Sequence, residues 1–134
     1  MSKARDFVVA LRDGDLGGGG SGGVSNVRVN IAATTTAVID PAAGDTFVIT
    51  LSTTNCTISF AAYTQEVGKV KDIRVLIKQG AGANQWTFGT AVMWVNDLEP
   101  VESTGAGDVD SMRLSFVNGF AKPMGFFEGG NLDV

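Results

Sequence analysis

From residue 24 onward the chain is a succession of short segments in which apolar and polar residues alternate, separated by clusters of turn-forming residues. In the first segment Val27, Val29 and Ile31 alternate with polar neighbours, as in a strand with one buried face. About eight such segments recur at intervals of roughly 10–15 residues, with no helical stretch between them. The pattern predicts an all-β fold, specifically an antiparallel β-sandwich or jelly roll.

Two strand pairings are predicted in more detail. The nearly continuous apolar run at 46–51 is typical of a strand buried on both faces, and with 56–60 it predicts a hairpin closed by a four-residue loop. Further along, Asn118-Gly119 is a strong hairpin signal between two more strand segments.

The first 23 residues differ in character from the rest, so we divide the chain into an arm at 1–23 and a β-sandwich domain at 24–134. The run at 16–23 is almost entirely glycine, which is typical of a flexible linker. No Lys follows the glycines, whereas a phosphate-binding loop requires one.

A short helix is predicted within this arm, at about 3–12. Phe7, Val8 and Leu11 fall on one side of a helical turn, and Gly14 follows. A helix this short is not stable alone in water. We therefore expect these three side chains to bind a partner surface, the alternative being a frayed terminus.

Composition excludes several classes of function. The chain has no His and one Cys, so a Ser-His-Asp or Cys-His nucleophile and a zinc site are not expected. We expect no catalytic residues, no cofactor and no metal. A net charge of −4 argues against binding nucleic acid. No apolar run approaches the roughly 20 residues that cross a bilayer, and the N-terminal run is too short for a signal peptide, so we expect synthesis in a cytoplasm and no membrane partner.

One segment concentrates the carboxylates, namely Asp97, Glu99, Glu102, Asp108 and Asp110. Neither the ligand spacing of a calcium loop nor a glycosidase pair is evident in it. A solvated loop is the leading interpretation, with calcium binding as an alternative.

Three isolated residues are interpreted as structural. Cys56 alternates with polar neighbours and has no cation near it in sequence, which favours a buried, unreactive thiol. Trp86 and Trp94 are expected in the core or at a subunit interface, the alternative being a platform for a sugar ring.

Two clusters are candidates for contacts with other chains. The surplus of aromatic residues near the C-terminus, Phe120, Phe126 and Phe127, suggests an interface with other chains, because apolar surface that one thin sandwich cannot cover marks an interface. Ordinary core packing is the alternative. The basic cluster, which suits an acidic partner or a solvated strand edge, comprises Lys69, Lys71, Arg74 and Lys78.

Several segments together resemble a β-domain family of tailed-bacteriophage virion proteins. The 46–60 block resembles a hairpin found in that family, and the start of the chain resembles that of short fibre-type proteins. The further matching segments are Ile73 to Gly80, Gln85 to Phe88, Val92 to Trp94, and the 103–110 loop with the strand from Met112 to Phe116.

This resemblance implies a small homotrimer located in the virion. One implied role is a capsid decoration (cement) protein whose arm binds the major capsid protein. The other is a short tail-fibre head that binds a tail or baseplate protein and a host receptor. Since no repeat or coiled coil supplies a fibre shaft, the sequence favours decoration.

Overall fold

The described part of the chain is built almost entirely of strands and loops. A computed structural model describes residues 26–52, 54–81 and 83–132. The arm, its predicted helix and the residues Phe7, Val8 and Leu11 lie outside the described residues. Within them, the only helical element is a 3-10 turn at Val95–Asp97, and no helix is long and apolar enough to span a membrane. The nine strands are β1 Arg28–Ala32, β2 Thr36–Ile39, β3 Thr46–Thr50, β4 Cys56–Phe60, β5 Val70–Lys78, β6 Trp86–Thr87, β7 Met93–Trp94, β8 Val109–Val117 and β9 Met124–Leu132.

The first six strands alternate between two sheets that face each other. The large sheet has the order β1-β3-β5-β8-β9-β7, and the small sheet has the order β2-β4-β6. β1, β3 and β5 are parallel, as are β2, β4 and β6. Each pair of successive strands therefore completes one turn of a coil around a shared core.

The all-β prediction is confirmed, but the antiparallel prediction holds for only part of the structure. β8 pairs antiparallel with both β5 and β9, and the predicted turn at Asn118-Gly119 joins β8 to β9, with Gly119 at φ 92°. The other pairings are parallel. Parallel neighbours need a long crossover connection, which is usually a helix. Here a strand of the opposite sheet is the crossover, so no helix is required.

The predicted hairpin between 46–51 and 56–60 is wrong. β3 lies in the large sheet and β4 in the small sheet, so the chain crosses over the core between them. An alternating pattern shows that one face of a strand is buried, but it does not show whether the next strand lies in the same sheet or in the facing sheet.

The core fills the space between the two sheets. The large sheet contributes side chains such as Phe47, Val75 and Leu114, and the small sheet contributes Ile39 and Ile58, all of them at most 1% exposed. Replacing one of these large side chains by alanine costs about 2–5 kcal/mol. Strands from both sheets therefore share one apolar interior.

A polar network closes one end of the core. Gln79 is 2% exposed, and its amide donates to the carbonyls of Asn84 and Ser103 and accepts from the Asn84 N–H. The side-chain amide of Asn84 donates to the Ser52 carbonyl at 2.6 Å. The next residue, Gly80, has no space for a side chain, because a Cβ there would lie 2.4 Å from the Leu51 carbonyl oxygen. The side-chain amides of Gln79 and Asn84 are therefore hydrogen-bonded, and they fix the loops that connect the sheets.

Candidate interaction surfaces

The three phenylalanines predicted for a trimer interface lie on different parts of the body. Phe120 lies in the loop between β8 and β9 and is 53% exposed. Phe126 and Phe127 are neighbours on β9, so they project to opposite faces of the large sheet. Phe126 pairs with Arg113 on the outer face, and Phe127, 40% exposed, pairs with Met112 on the inner face. Phe120 and Phe127 are exposed enough to contact another chain, but the three phenylalanines do not form one flat patch.

A cleft with aromatic walls opens at the end of the body where β4 and β8 finish. It encloses about 520 Å³ and is bounded by the 59–65 and 117–123 segments. The Phe116 ring packs edge-on against Phe60 and Tyr63, with centroids 5.4 and 5.5 Å apart. We call this cavity the aromatic cleft, and its volume is in the range of small-molecule sites.

The rim of the aromatic cleft is polar. The Tyr63 hydroxyl donates to the Gln65 side chain at 2.7 Å, and the Asn118 side-chain amide donates to the Gln65 carbonyl at 2.8 Å. Phe120 and Lys122 complete the rim. An apolar wall with a few polar groups at its edge suits a ligand that carries both kinds of surface.

The outer face of the large sheet carries three arginines in one row across its strands. The register places Arg28 beside Thr46, Thr46 beside Arg74, Arg74 beside Arg113, and Arg113 beside Phe126. We call Arg28, Arg74, Arg113 and Phe126 the arginine row. Directly opposed residues have Cβ atoms about 4.5–5.5 Å apart, so the facing arginines on β5 and β8 repel each other unless an acid lies between them.

Glu128 supplies that acid. Its carboxylate accepts two hydrogen bonds from Arg74, at 3.1 and 3.2 Å, and one from the Ser111 hydroxyl at 2.8 Å. Burial raises the pKa of Glu128, but these hydrogen bonds and the charges of Arg74 and Arg113 outweigh it and lower the pKa. The Arg113 guanidinium also lies 5.5 Å from the centre of the Phe126 ring. One carboxylate therefore serves two arginines, and the row keeps a net positive charge.

On the side of the body, the 95–102 segment exposes apolar and acidic side chains together, and we call it the acidic loop. Val95, Leu98 and Val101 are 40%, 69% and 82% exposed. The acidic loop carries three carboxylates, those of Asp97, Glu99 and Glu102. None of them makes an ion pair or a side-chain hydrogen bond with any described residue. A segment of this composition presents both an apolar contact and a negative charge.

The two later acids of the predicted carboxylate cluster accept hydrogen bonds within the chain, and Asp110 is buried instead of solvated. Asp110 is 1% exposed and accepts hydrogen bonds from the Trp86 indole at 3.1 Å and from the N–H and hydroxyl of Ser103 at 2.9 and 2.6 Å. The Asp108 carboxylate accepts from the Gly105 N–H. Within residues 26–132, apart from the two undescribed positions, no three His, Cys, Asp or Glu side chains lie close enough to hold a metal ion.

The single cysteine and one tryptophan are buried, as predicted. Cys56 is a free thiol, 2% exposed, and burial raises its pKa. Trp86 is 4% exposed. Trp94 is half-buried, with its ring against Gly125. These environments leave neither tryptophan as an open platform for a sugar ring.

The predicted basic cluster is divided by its ion pairs. Lys69 pairs with Glu66 at 3.0 Å, and Lys71 pairs with Asp45 at 3.0 Å. The pKa of Asp45 is lowered by a hydrogen bond from the Val27 N–H and then by Lys71. The members of the cluster that remain on the outer face of the large sheet are Arg74 and Lys78.

Sequence reasoning missed the arginine row because the row depends on strand register. Arg28 and Arg113 each alternate with core residues, which does predict an outward side chain. That they lie in line with Arg74 follows only once β1, β3, β5 and β8 are known to be neighbours.

Comparisons with protein-family models, with curated proteins and with solved structures find no match to this chain.

Proposed function

We propose that this chain is a non-enzymatic structural protein of a bacteriophage virion, a homotrimeric capsid decoration protein that bridges major capsid subunits. The observation that carries the proposal is the apolar surface left exposed on a small β body. Leu98 is 69% exposed, Val101 82% and Phe120 53%. Exposed apolar side chains that are grouped mark contacts with other chains, and Leu98 and Val101 lie within one short loop. The resemblance in sequence supplies the virion setting.

The mechanism of stabilisation would be buried area. A decoration protein that contacts two capsid subunits adds interface that must separate before the shell opens under the pressure of packed DNA. A specific interface of this kind buries at least about 1,000 Å² in total. The arm at 1–23, which spans at most about 75–80 Å when extended, would reach a neighbouring subunit and bind it through Phe7, Val8 and Leu11.

In fold terms we propose a β-sandwich for residues 24–134. Two sheets with a shared core support that description. The parallel pairing of the first six strands departs from a jelly roll, whose strands are antiparallel, so we propose the sandwich without jelly-roll connectivity and with a short helix in the arm.

A second function is supported by the aromatic cleft. A tail-fibre head binds a host receptor, and a cleft of about 520 Å³ with an aromatic wall suits a ligand such as a glycan. The two functions predict different attachment sites on the particle. Labelled chain imaged on virions by electron microscopy would decorate the head in the first case and the tail in the second.

Sedimentation with purified capsids tests the role of the arm. In the full-length chain, replacing Phe7, Val8 and Leu11 together by aspartate is expected to abolish co-sedimentation, because the apolar side of the helix is lost. A Val67→Asp variant is the matched control, since Val67 is 83% exposed and lies outside the arm. Undiminished binding by the triple variant would contradict the proposed anchor.

A further inference from the structure

We propose that copies of this chain associate head to tail, with the acidic loop of one copy bound on the arginine row of the next. The inference deepens the proposed function by naming the surface through which the trimer forms, and it rests on the self-association proposed there. The partner bound on the arginine row is a second copy of the same chain.

The acidic loop has the chemistry of a docking segment. Its three exposed apolar side chains, Val95, Leu98 and Val101, are interleaved with three carboxylates that no described residue neutralises. Within the described part of the chain the loop therefore exposes apolar area and has no cation paired with its carboxylates. A partner surface with apolar groups and unneutralised cations would compensate both.

The arginine row is that surface. Arg74 and Arg113 face each other across β5 and β8, and Arg28 lies in the same row. Among the described residues, Glu128 is the one acid bonded to this row. Arg113 lies over the ring of Phe126, which is partly buried, and arginine and aromatic side chains are the residues enriched where interfaces gain most of their affinity. Glu128 offsets only part of the charge of the three arginines, so a second carboxylate beside them would balance the positive charge that remains.

The two surfaces face different directions on one copy. The acidic loop leaves the edge strand β7 and turns towards the small sheet, where Glu99 and Glu102 line a depression with Trp86 and Thr87. The arginine row lies on the opposite, outer face of the large sheet. An interface between two unlike surfaces is heterologous, and copies joined in this way form a closed ring when the rotation between them closes. A threefold ring is therefore compatible with this contact.

Native mass spectrometry of the full chain at micromolar concentration, with analytical ultracentrifugation to obtain the association constant, tests the inference. The wild type is expected to be oligomeric and to dissociate as salt rises, because surface charge pairs are screened. Arg113→Glu and Glu99→Arg are each expected to weaken association at least about tenfold. The double variant, which reverses both partners, is expected to recover a large part of that loss.

Two charge reversals away from both surfaces are the controls. Lys69→Glu and Glu66→Arg alter an exposed i,i+3 pair and are expected to leave association unchanged. Circular dichroism and thermal melting check that every variant is folded. A Leu98→Ser variant tests the apolar part of the contact without a change in charge and is expected to weaken association.

A wild-type monomer at these concentrations would overturn the inference, as would an oligomer that is indifferent to Arg113→Glu and Glu99→Arg. In the second case the trimer would form through another surface, and the proposed decoration function would stand. Failure of decoration itself is visible in a separate measurement, the number of copies of the chain in each particle.

Discussion

At the scale of single residues, the buried polar groups decide how the two sheets hold together. Asp110 on β8 of the large sheet accepts a hydrogen bond from Trp86 on β6 of the small sheet, and it also binds Ser103 in the preceding loop. A buried carboxylate with three donors is stable only while all three remain in place. The contact therefore joins the sheets and fixes the loop together.

Asp110→Leu is expected to lower the free energy of unfolding by about 1–3 kcal/mol for each donor left without an acceptor. Urea denaturation followed by tryptophan fluorescence measures the change. Glu99→Leu is the control, because Glu99 is exposed and makes no ion pair with any described residue, and it is expected to change stability by less than about 0.5 kcal/mol. Equal effects of the two variants would contradict the structural role of Asp110.

A second residue-scale feature is the close approach of Trp94 to Gly125. A Cβ at position 125 would lie 2.5 Å from two carbons of the indole ring and 2.6 Å from a methyl group of Val92. The buried indole N–H of Trp94 has no partner among the described residues. The ring is therefore placed by packing and not by a hydrogen bond.

Gly125→Ala is expected to destabilise the fold by about 1–3 kcal/mol, since the indole or the strand must shift. Trp94→Leu in the same chain would provide space for the new methyl group and recover part of the loss. Thermal melts of the two single variants and the double variant measure this coupling. Additive effects would show that the ring and the glycine do not meet.

At the scale of strands, one acid links three strands on the outer face of the large sheet. Glu128 on β9 binds Arg74 on β5 across the intervening β8, whose Ser111 donates to the same carboxylate. Its pKa is lowered from the ordinary value of 4.5, and the pKa of Asp45 is lowered from 3.8. A lowered pKa in the folded state means that folding favours the ionised form.

We therefore expect stability to be lost on acidification. The contribution of Glu128 is fully present above pH 4.5, the ordinary pKa of the group, and is lost as the pH falls through the lower pKa of the folded state. Urea denaturation at a series of acidic pH values should show a smaller loss for Glu128→Gln than for the wild type. Glu99→Gln, at an exposed position with no ion pair to any described residue, should behave as the wild type does.

The positions of many strands could be predicted from sequence, because alternation of apolar and polar residues shows which face of a segment is buried. The strand at 56–60 and the turn at Asn118-Gly119 are where the sequence predicts them. The partner of each strand could not be predicted, since the same alternation serves a hairpin and a chain that crosses the core. Phe120 could be named as a candidate contact from sequence, because that prediction needs no strand partner. The alignment of Arg28 with Arg113 could not be predicted, because it depends on which strands are neighbours.

At the scale of the whole molecule, the coiled winding separates two surfaces of opposite character. The open face of the large sheet carries the arginines, and the side of the body carries the acidic loop. A small domain with net charge −4 thus has a local positive face and a negative, apolar edge. Both features favour assembly with other chains, which is the basis of the proposed place in a virion shell.

The most direct measurement of that account is the number of copies of the chain per particle, obtained by quantitative mass spectrometry of purified virions against the major capsid protein. A decoration protein that covers the shell predicts hundreds of copies, in a fixed ratio to the capsid protein. A few to tens of copies would place the chain in the tail, and its absence from particles would contradict the account altogether.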